Sequence, residues 1–217
     1  MATNSDMAQR RAAALANRDP EYLTRRAELI DAAARVFRTK GYSAAKLQDI
    51  AAAVGLDRAT IYYYVSGKEE LFQVVVAEAV RQNVHTVEKL RADKRPADQK
   101  LRALIESLML AYERHYPYLY VYVQENMGHM TGTGPWQREM LALGRRFDRA
   151  IRAIVEDGIE QKTIMAQSDD ARVIANAIVG MCNWTHRWFH PKAEGDARSV
   201  AEVFSNLILD GLRPKSR

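Results

Sequence analysis

From Leu23 onward the apolar positions recur at helical spacing. Leu23, Ala27, Ile30, Ala34 and Phe37 follow one another at steps of four and three, which places them on one face of a helix that Gly41 stops. Leu47, Ile50, Ala51 and Val54 repeat the spacing in a second, shorter helix ended by Gly55, and Asp57 is placed to cap a third running to about Val65. Ser66-Gly67-Lys68-Glu69 predicts a capping box, with Ser66 and Glu69 satisfying open N–H groups at the start of a fourth helix over 68–91. Beyond Pro96 the pattern predicts helices over 100–116, 136–161, 170–189 and 197–212, with glycine and proline between them. Only Tyr116 to Val123 alternates like a strand. A lone strand would lack a partner, so this stretch too is expected as helix and the chain as all-α.

Three regions follow: a mobile basic arm over 1–22, or a frayed helix there, a three-helix domain over 23–83 with its central helix pair at 46–65, and a second helical domain over 84–217. No apolar run approaches the roughly 18 residues needed to cross a bilayer, and the N-terminus has no signal-peptide pattern. A cytoplasmic protein is expected. The single cysteine, Cys182, excludes an internal disulfide framework and a cysteine-rich zinc site, and reads as a small buried residue. The net charge of +5 is unevenly spread: residues 10–68 hold eleven Lys and Arg against six Asp and Glu, while the rest is close to balanced. A compact basic region beside a neutral one suits a polyanion, because phosphate contacts release condensed counterions.

The helix pair carries the chemistry. A helix-turn-helix needs a small residue where its helices cross, a short turn and a second helix with one apolar and one open face. Ala51, Gly55 and the segment from Asp57 to Val65 supply these. At 100° per residue Ile61 and Val65 point inward and Tyr64 is half buried, whereas Ala59, Thr60, Tyr62 and Tyr63 face out. Ala59 suits a thymine methyl, the hydroxyls suit phosphates or base edges, and Arg58 suits a bidentate guanine contact. Lys68, at the first turn of the next helix, is expected to hold a phosphate.

Gly41-Tyr42, Leu47-Gln48-Asp49-Ile50-Ala51, Val54-Gly55-Leu56, Ala59-Thr60-Ile61-Tyr62-Tyr63-Tyr64-Val65 and Lys68-Glu69-Glu70-Leu71 resemble, in this order and spacing, the N-terminal domain of the TetR family of bacterial repressors. The resemblance covers about 60 residues. It implies base and phosphate contacts at Gln48, Arg58, Ala59, Thr60, Tyr62, Tyr63, Tyr64 and Lys68, with Lys46 at the start of the second helix. It also implies a palindromic double-stranded operator, a homodimer closed by the last two long helices as a four-helix bundle, and repression relieved by a ligand. Lys46 stands where the family often has serine or threonine, and Ala59 replaces a frequent glycine or proline, which leaves the operator sequence open.

In the last helix Val200, Phe204, Ile208 and Leu212 form one apolar stripe, and Val203, Leu207 and Gly211 a second; one is expected to face the chain's own core and the other a second copy. The second domain is rich in aromatic and methionine residues, as core or as the wall of an apolar cavity. The stretch Gly180-Met181-Cys182-Asn183-Trp184-Thr185-His186-Arg187-Trp188-Phe189-His190-Pro191 resembles the TetR subgroup that regulates lipid and steroid breakdown and answers acyl-CoA thioesters. That resemblance implies a site lined by Trp184, Arg187 and Trp188, with Tyr118 and Tyr122 as further candidates. Arg138, Arg145, Arg149 and Arg152 share a face that either meets CoA phosphates or is simply solvated. A free hydrophobic or aromatic compound is the alternative effector, as in efflux regulators. Enzyme chemistry is the remote alternative. His186 with His190, and Glu125 with His129, each share a helix face but lack a third metal ligand at fixed spacing. No cofactor, metal, membrane contact or catalytic residue is expected.

Overall fold

The computed structural model describes residues 4–126, 134–166, 170–191 and 195–212, and among them every regular element is a helix. The chain divides into two compact units, Met1–Glu78 and Ala79–Arg217. The division falls within the helix expected to end the first domain, earlier than 83.

The first unit holds α1 (Asn4–Ala16), α2 (Pro20–Ala44), α3 (Leu47–Ala53), α4 (Arg58–Tyr64) and the start of α5 (Lys68–Ala92). The expected arm thus contains a helix, and α1 packs on α4. Helix α2 begins at Pro20, not Leu23, because Asp19 caps it, its carboxylate accepting from the N–H groups of Glu21 and Tyr22 at 3.0 and 3.3 Å. The buried face is Tyr22, Leu29, Ala32, Ala33 and Phe37, while Leu23 is exposed. The helical period holds but the face is rotated by about one residue, since burying Tyr22 and Leu29 removes more apolar area than burying Ala27 and Ala34. Gly41, at φ 74° and ψ 160°, breaks the helix in a conformation open to glycine, and one further turn follows to Ala44. At α5 the partner of Ser66 is Glu70, not Glu69. Glu70 Oε2 accepts from the Ser66 N–H at 2.7 Å and its hydroxyl at 2.8 Å, and Oε1 from Arg26 at 2.9 Å. Burial opposes the Glu70 charge, but these hydrogen bonds hold its carboxyl below the ordinary range.

The second unit holds the rest of α5, then α6 (Ala97–Arg114), α7 (Tyr118–Asn126), α8 (Pro135–Glu160), α9 (Ala171–Trp184) with a 3₁₀ turn (Thr185–Arg187), and α10 (Ala197–Leu212). Pro117 ends the preceding turn, and the alternating tyrosines are helical in α7, as expected. Helix α6 packs on α8, α9 and α10 and buries Leu101, Leu104, Ile105, Leu108 and Met109. Its buried Lys100 donates to the Arg91 carbonyl at 3.0 Å, placing a cation at the carbonyl-rich end of α5. The core-facing stripe of α10 is Ala197, Ala201, Ser205 and Leu209. Val200, Phe204 and Ile208 are half-buried beside it, and Val203, Leu207 and Gly211 are exposed. The inward stripe escapes the sequence pattern because small residues let α10 approach α6 closely, a fit that hydropathy does not register.

Cys182 is fully buried, and burial pushes its thiol up to about 12. At pH 8 the native protein is therefore expected to resist alkylation by iodoacetamide, with modification appearing only as denaturant unfolds the second unit. Rapid labelling of the native protein, followed by intact mass, would contradict this burial.

Candidate DNA interface and effector cavity

The α3–α4 pair is assembled from local hydrogen bonds. Ile50 and Ala51 are buried, Gly55 turns the chain at φ 69°, and the Leu56 N–H returns to the Ala51 carbonyl at 2.9 Å. Asp57 caps α4 as expected, accepting from Ala59 and Thr60 N–H at 2.7 and 2.8 Å. The hydrogen bonds from the Thr60 backbone, the Thr60 hydroxyl and the Ala59 backbone, in that order, hold the Asp57 carboxyl below its ordinary value. Helix α4 buries Ile61 and is followed by buried Val65.

Ala59 is exposed, Thr60 and Tyr62 are partly exposed, and Lys46 and Gln48 stand exposed at the start of α3. Arg58 opens α4, but its side chain lies outside the described residues. Four expected contacts take other partners. The Thr60 hydroxyl gives its proton to Asp57 Oδ2 at 2.7 Å, which leaves it only as an acceptor toward a ligand. Tyr63 does not simply face out: its ring meets Tyr22 edge-on at 5.3 Å and Tyr64 at 5.0 Å. Tyr64 stacks on Tyr22 at 5.2 Å, and the Tyr22 hydroxyl donates to the Tyr64 carbonyl at 3.1 Å. Tyr63 and Tyr64 thus anchor α4 on α2, and Tyr62 is the tyrosine left for a partner. A helical wheel could not foresee that α2 supplies an aromatic side chain on that side.

Lys68 is the fourth. Its ammonium donates to the carbonyls of Tyr42 at 2.8 Å, Ala45 at 3.0 Å and Ser43 at 3.5 Å, and lies 4.4 Å from the centre of the Tyr42 ring. The expected open phosphate donor is engaged within the protein.

In the second unit a cavity of about 200 Å3 lies among α5, α6, α7, α8 and α9. Its wall includes Leu108, Tyr112, Leu119, Tyr122, Val123, Gly144, Phe147, Asp148, Val179 and Asn183. The Tyr112 hydroxyl donates to the Asn183 side-chain carbonyl. Burial pushes up both the Tyr122 phenol and the Asp148 carboxyl. Of the five residues expected at an effector site, only Tyr122 lines this cavity. Tyr118 is buried, its hydroxyl 2.6 Å from His115 Nδ1. Trp184 is 59% exposed with the Arg187 guanidinium 5.4 Å from its ring centre, and Trp188 packs against Phe189 and Phe204. The cavity uses Val179 and Asn183 on the opposite side of α9. Tyr112 and Phe147 are among the aromatic residues expected as core or cavity wall, whereas Asp148 and Asn183 were not singled out as lining; the i, i+3 and i, i+4 steps linking Gly144, Phe147 and Asp148 were the available signal.

Arg138, Arg145, Arg149 and Arg152 are exposed on α8 outside the cavity wall, and Arg152 pairs with Glu156 at 2.7 Å. His186 Nδ1 donates to the Asn183 carbonyl at 2.8 Å and His190 Nδ1 to that of Trp188 at 2.9 Å. His129 lies outside the described residues. Among those described, no three metal-ligating side chains gather and no helix is long and apolar enough to cross a membrane. A further apolar face remains open: Val173, Ala177, Gly180 and Trp184 at steps of four, three and four on α9, with Val203 and Leu207 on α10.

A capped recognition helix in one unit and an apolar cavity within helices in the other define a helix-turn-helix regulator. The model for bacterial regulatory proteins of the tetR family matches 29–75, and that for the tetracyclin repressor-like C-terminal domain matches 94–212. The chain belongs to the TetR family, whose members are DNA-binding transcriptional regulators rather than enzymes. It is 23% identical over 189 residues to the HTH-type transcriptional repressor KstR2 of Rhodococcus jostii (strain RHA1), spanning 87% of this chain and 91% of that protein. It is 30% identical to the TetR family regulator PfmR from Thermus thermophilus, with a TM-score of 0.71 over 86% of this chain and 99% of the other. AibR, solved with isovaleryl coenzyme A and operator DNA, shares the fold at a TM-score of 0.68 and 21% identity, over 84% of this chain and 97% of its own.

Proposed function

We propose that this chain is a cytoplasmic homodimeric repressor that holds a palindromic operator and leaves it when an acyl-CoA thioester enters the second unit. The observation that carries the reading is the cavity: an apolar wall with a small polar group, Tyr112 and Asn183, able to orient a carbonyl. Its volume of about 200 Å3 is below the ~300–1,000 Å3 of sites for drug-sized ligands. A short acyl group therefore suits it better than a long chain, with the nucleotide outside. That AibR was solved with isovaleryl coenzyme A supports the class. Ligand entry can shift the equilibrium only by its differential affinity for the released state. The competing effector is a free apolar compound, favoured by the lack of a lining lysine or arginine among the described residues. Fluorescence polarisation on a duplex selected in vitro with the protein tests this. Release by isovaleryl-CoA, but not by CoA or isovalerate, is the expected result; release by the free acid alone would replace the thioester reading.

Gln48, Ala59, Thr60 and Tyr62, with Lys46 and Arg58 at their edges, are proposed to meet DNA. The open α9–α10 face is proposed to close the dimer, since two recognition helices must reach successive half-sites. Leu207 is 65% exposed on that face. Leu207→Arg is expected to yield monomers in native mass spectrometry and to weaken operator binding ~100-fold or more, because the second half-site no longer binds intramolecularly. A dimer with unchanged affinity would reject this interface.

A further inference from the structure

We propose that Lys68 is a positioning residue for DNA reading, acting through the α2–α3 link and not by contacting phosphate. An ammonium has three donors, and here three carbonyl oxygens converge on it, those of Tyr42, Ser43 and Ala45 at 2.8, 3.5 and 3.0 Å. These carbonyls belong to the turn after Gly41 and the residues leading into α3, where a helix end leaves oxygens without N–H partners. A cation there is also favoured by the dipole of α2. The Tyr42 ring lies 4.4 Å from the Lys68 ammonium and 4.3 Å from the Phe72 ring, so two residues of α5 hold the same side chain.

The link is fixed from its other end as well. Lys46 caps α3, its N–H donating to Asp49 Oδ2 at 3.0 Å, and Asp49 Oδ1 pairs with Lys40 at 2.9 Å. Lys68 therefore sets where α3 starts, and the tight turn through Gly55 carries that placement to α4. With its donors directed at carbonyls, the ammonium has none free for a phosphate unless it abandons the link. The inference rests on DNA binding by this family and is independent of the effector.

The two roles separate in salt dependence and in the response to arginine. A lysine on a phosphate releases counterions, so its removal lowers the slope of log K against log salt by about 1. Arginine would replace it there, but its planar fork cannot present one nitrogen to three converging carbonyls. Full-length wild type, Lys68→Met and Lys68→Arg are compared on a duplex selected with wild type and on a scrambled duplex, at a temperature where circular dichroism shows all three folded. The expected result is that both variants lose about 10-fold or more on the selected duplex and change less than about 2-fold on the scrambled one, with the salt slope unchanged. Equal weakening on both duplexes with a shallower slope, full rescue by arginine, or unchanged preference in both variants would overturn the proposal. Should the variants not fold, wild type decides alone. Acetylation of its lysines, mapped by mass spectrometry, is expected to be slow at Lys68 both free and bound to DNA. Rapid labelling of the free protein that DNA suppresses would reject the positioning role.

Discussion

Phe37→Ala is expected to unfold the Met1–Glu78 unit and abolish DNA binding. Phe37 is fully buried, and its ring sits 5.6 Å from Tyr42 and 5.8 Å from Phe72, joining α2 to the turn before α3 and to α5. Removing a buried phenyl group costs ~3–5 kcal/mol in lost transfer energy and cavity formation. A unit of this length has total stability of only ~4–12 kcal/mol. The same substitution also releases Tyr42, whose carbonyl is one of the Lys68 acceptors. Thermal melting by circular dichroism should show the transition lost or moved well down, with no shift of labelled DNA at 25 °C. Phe204→Ala, at a half-buried position of α10, should leave DNA binding by the first unit intact. A Phe37 variant that melts like wild type would mean that this ring is not central to the unit.

Gly144→Leu is expected to produce a protein that binds its operator but no longer leaves it on effector addition. Gly144 lies within α8 on the cavity wall, and no atom stands within 4 Å of where its Cβ would be. Leucine can therefore extend into the open volume, and replacing a helical glycine gains up to ~1 kcal/mol of helix stability. Gly158, on the same helix, has no such space: a Cβ there would fall 2.5 Å from Ile164 Cδ1 and 2.9 Å from the Ala97 Cβ. With the acyl group excluded, operator release should require ~100-fold more isovaleryl-CoA than in wild type, a loss of differential affinity worth ~2.7 kcal/mol. Release at the wild-type concentration would place the effector outside this cavity.

Both effects rest on packing that the sequence signals only in part. The caps and the turn were legible because each is encoded within a few residues: Asp57 before Ala59 and Thr60, and Gly55 at a positive φ. Family membership was legible for the same reason, as an ordered run of such local signals. Ser66 binding Glu70 instead of Glu69 shows the limit of this reading, since Arg26, distant in sequence, helps hold Glu70 at the cap. Likewise the sequence did not show which side of α9 meets the cavity: Val179 and Asn183 line it, whereas Trp184 is exposed. Aromatic residues are common to cavities and interfaces, and burial of Cys182 and Ile178 decides which way the helix turns.

The sequence by itself determined the helical class, the helix-turn-helix, the basic first third and the small buried cysteine. Periodicity, capping and charge are local, so they survive without knowledge of the neighbours. Only the tertiary structure decided that Tyr63 and Tyr64 anchor α4 to Tyr22, that Lys68 spends its donors on the α2–α3 carbonyls, and that the cavity is walled by Tyr112, Phe147 and Asn183. In each case the partner lies tens of residues away, and a side chain's hydrogen bonds and packing go to whichever groups the folded chain brings within reach.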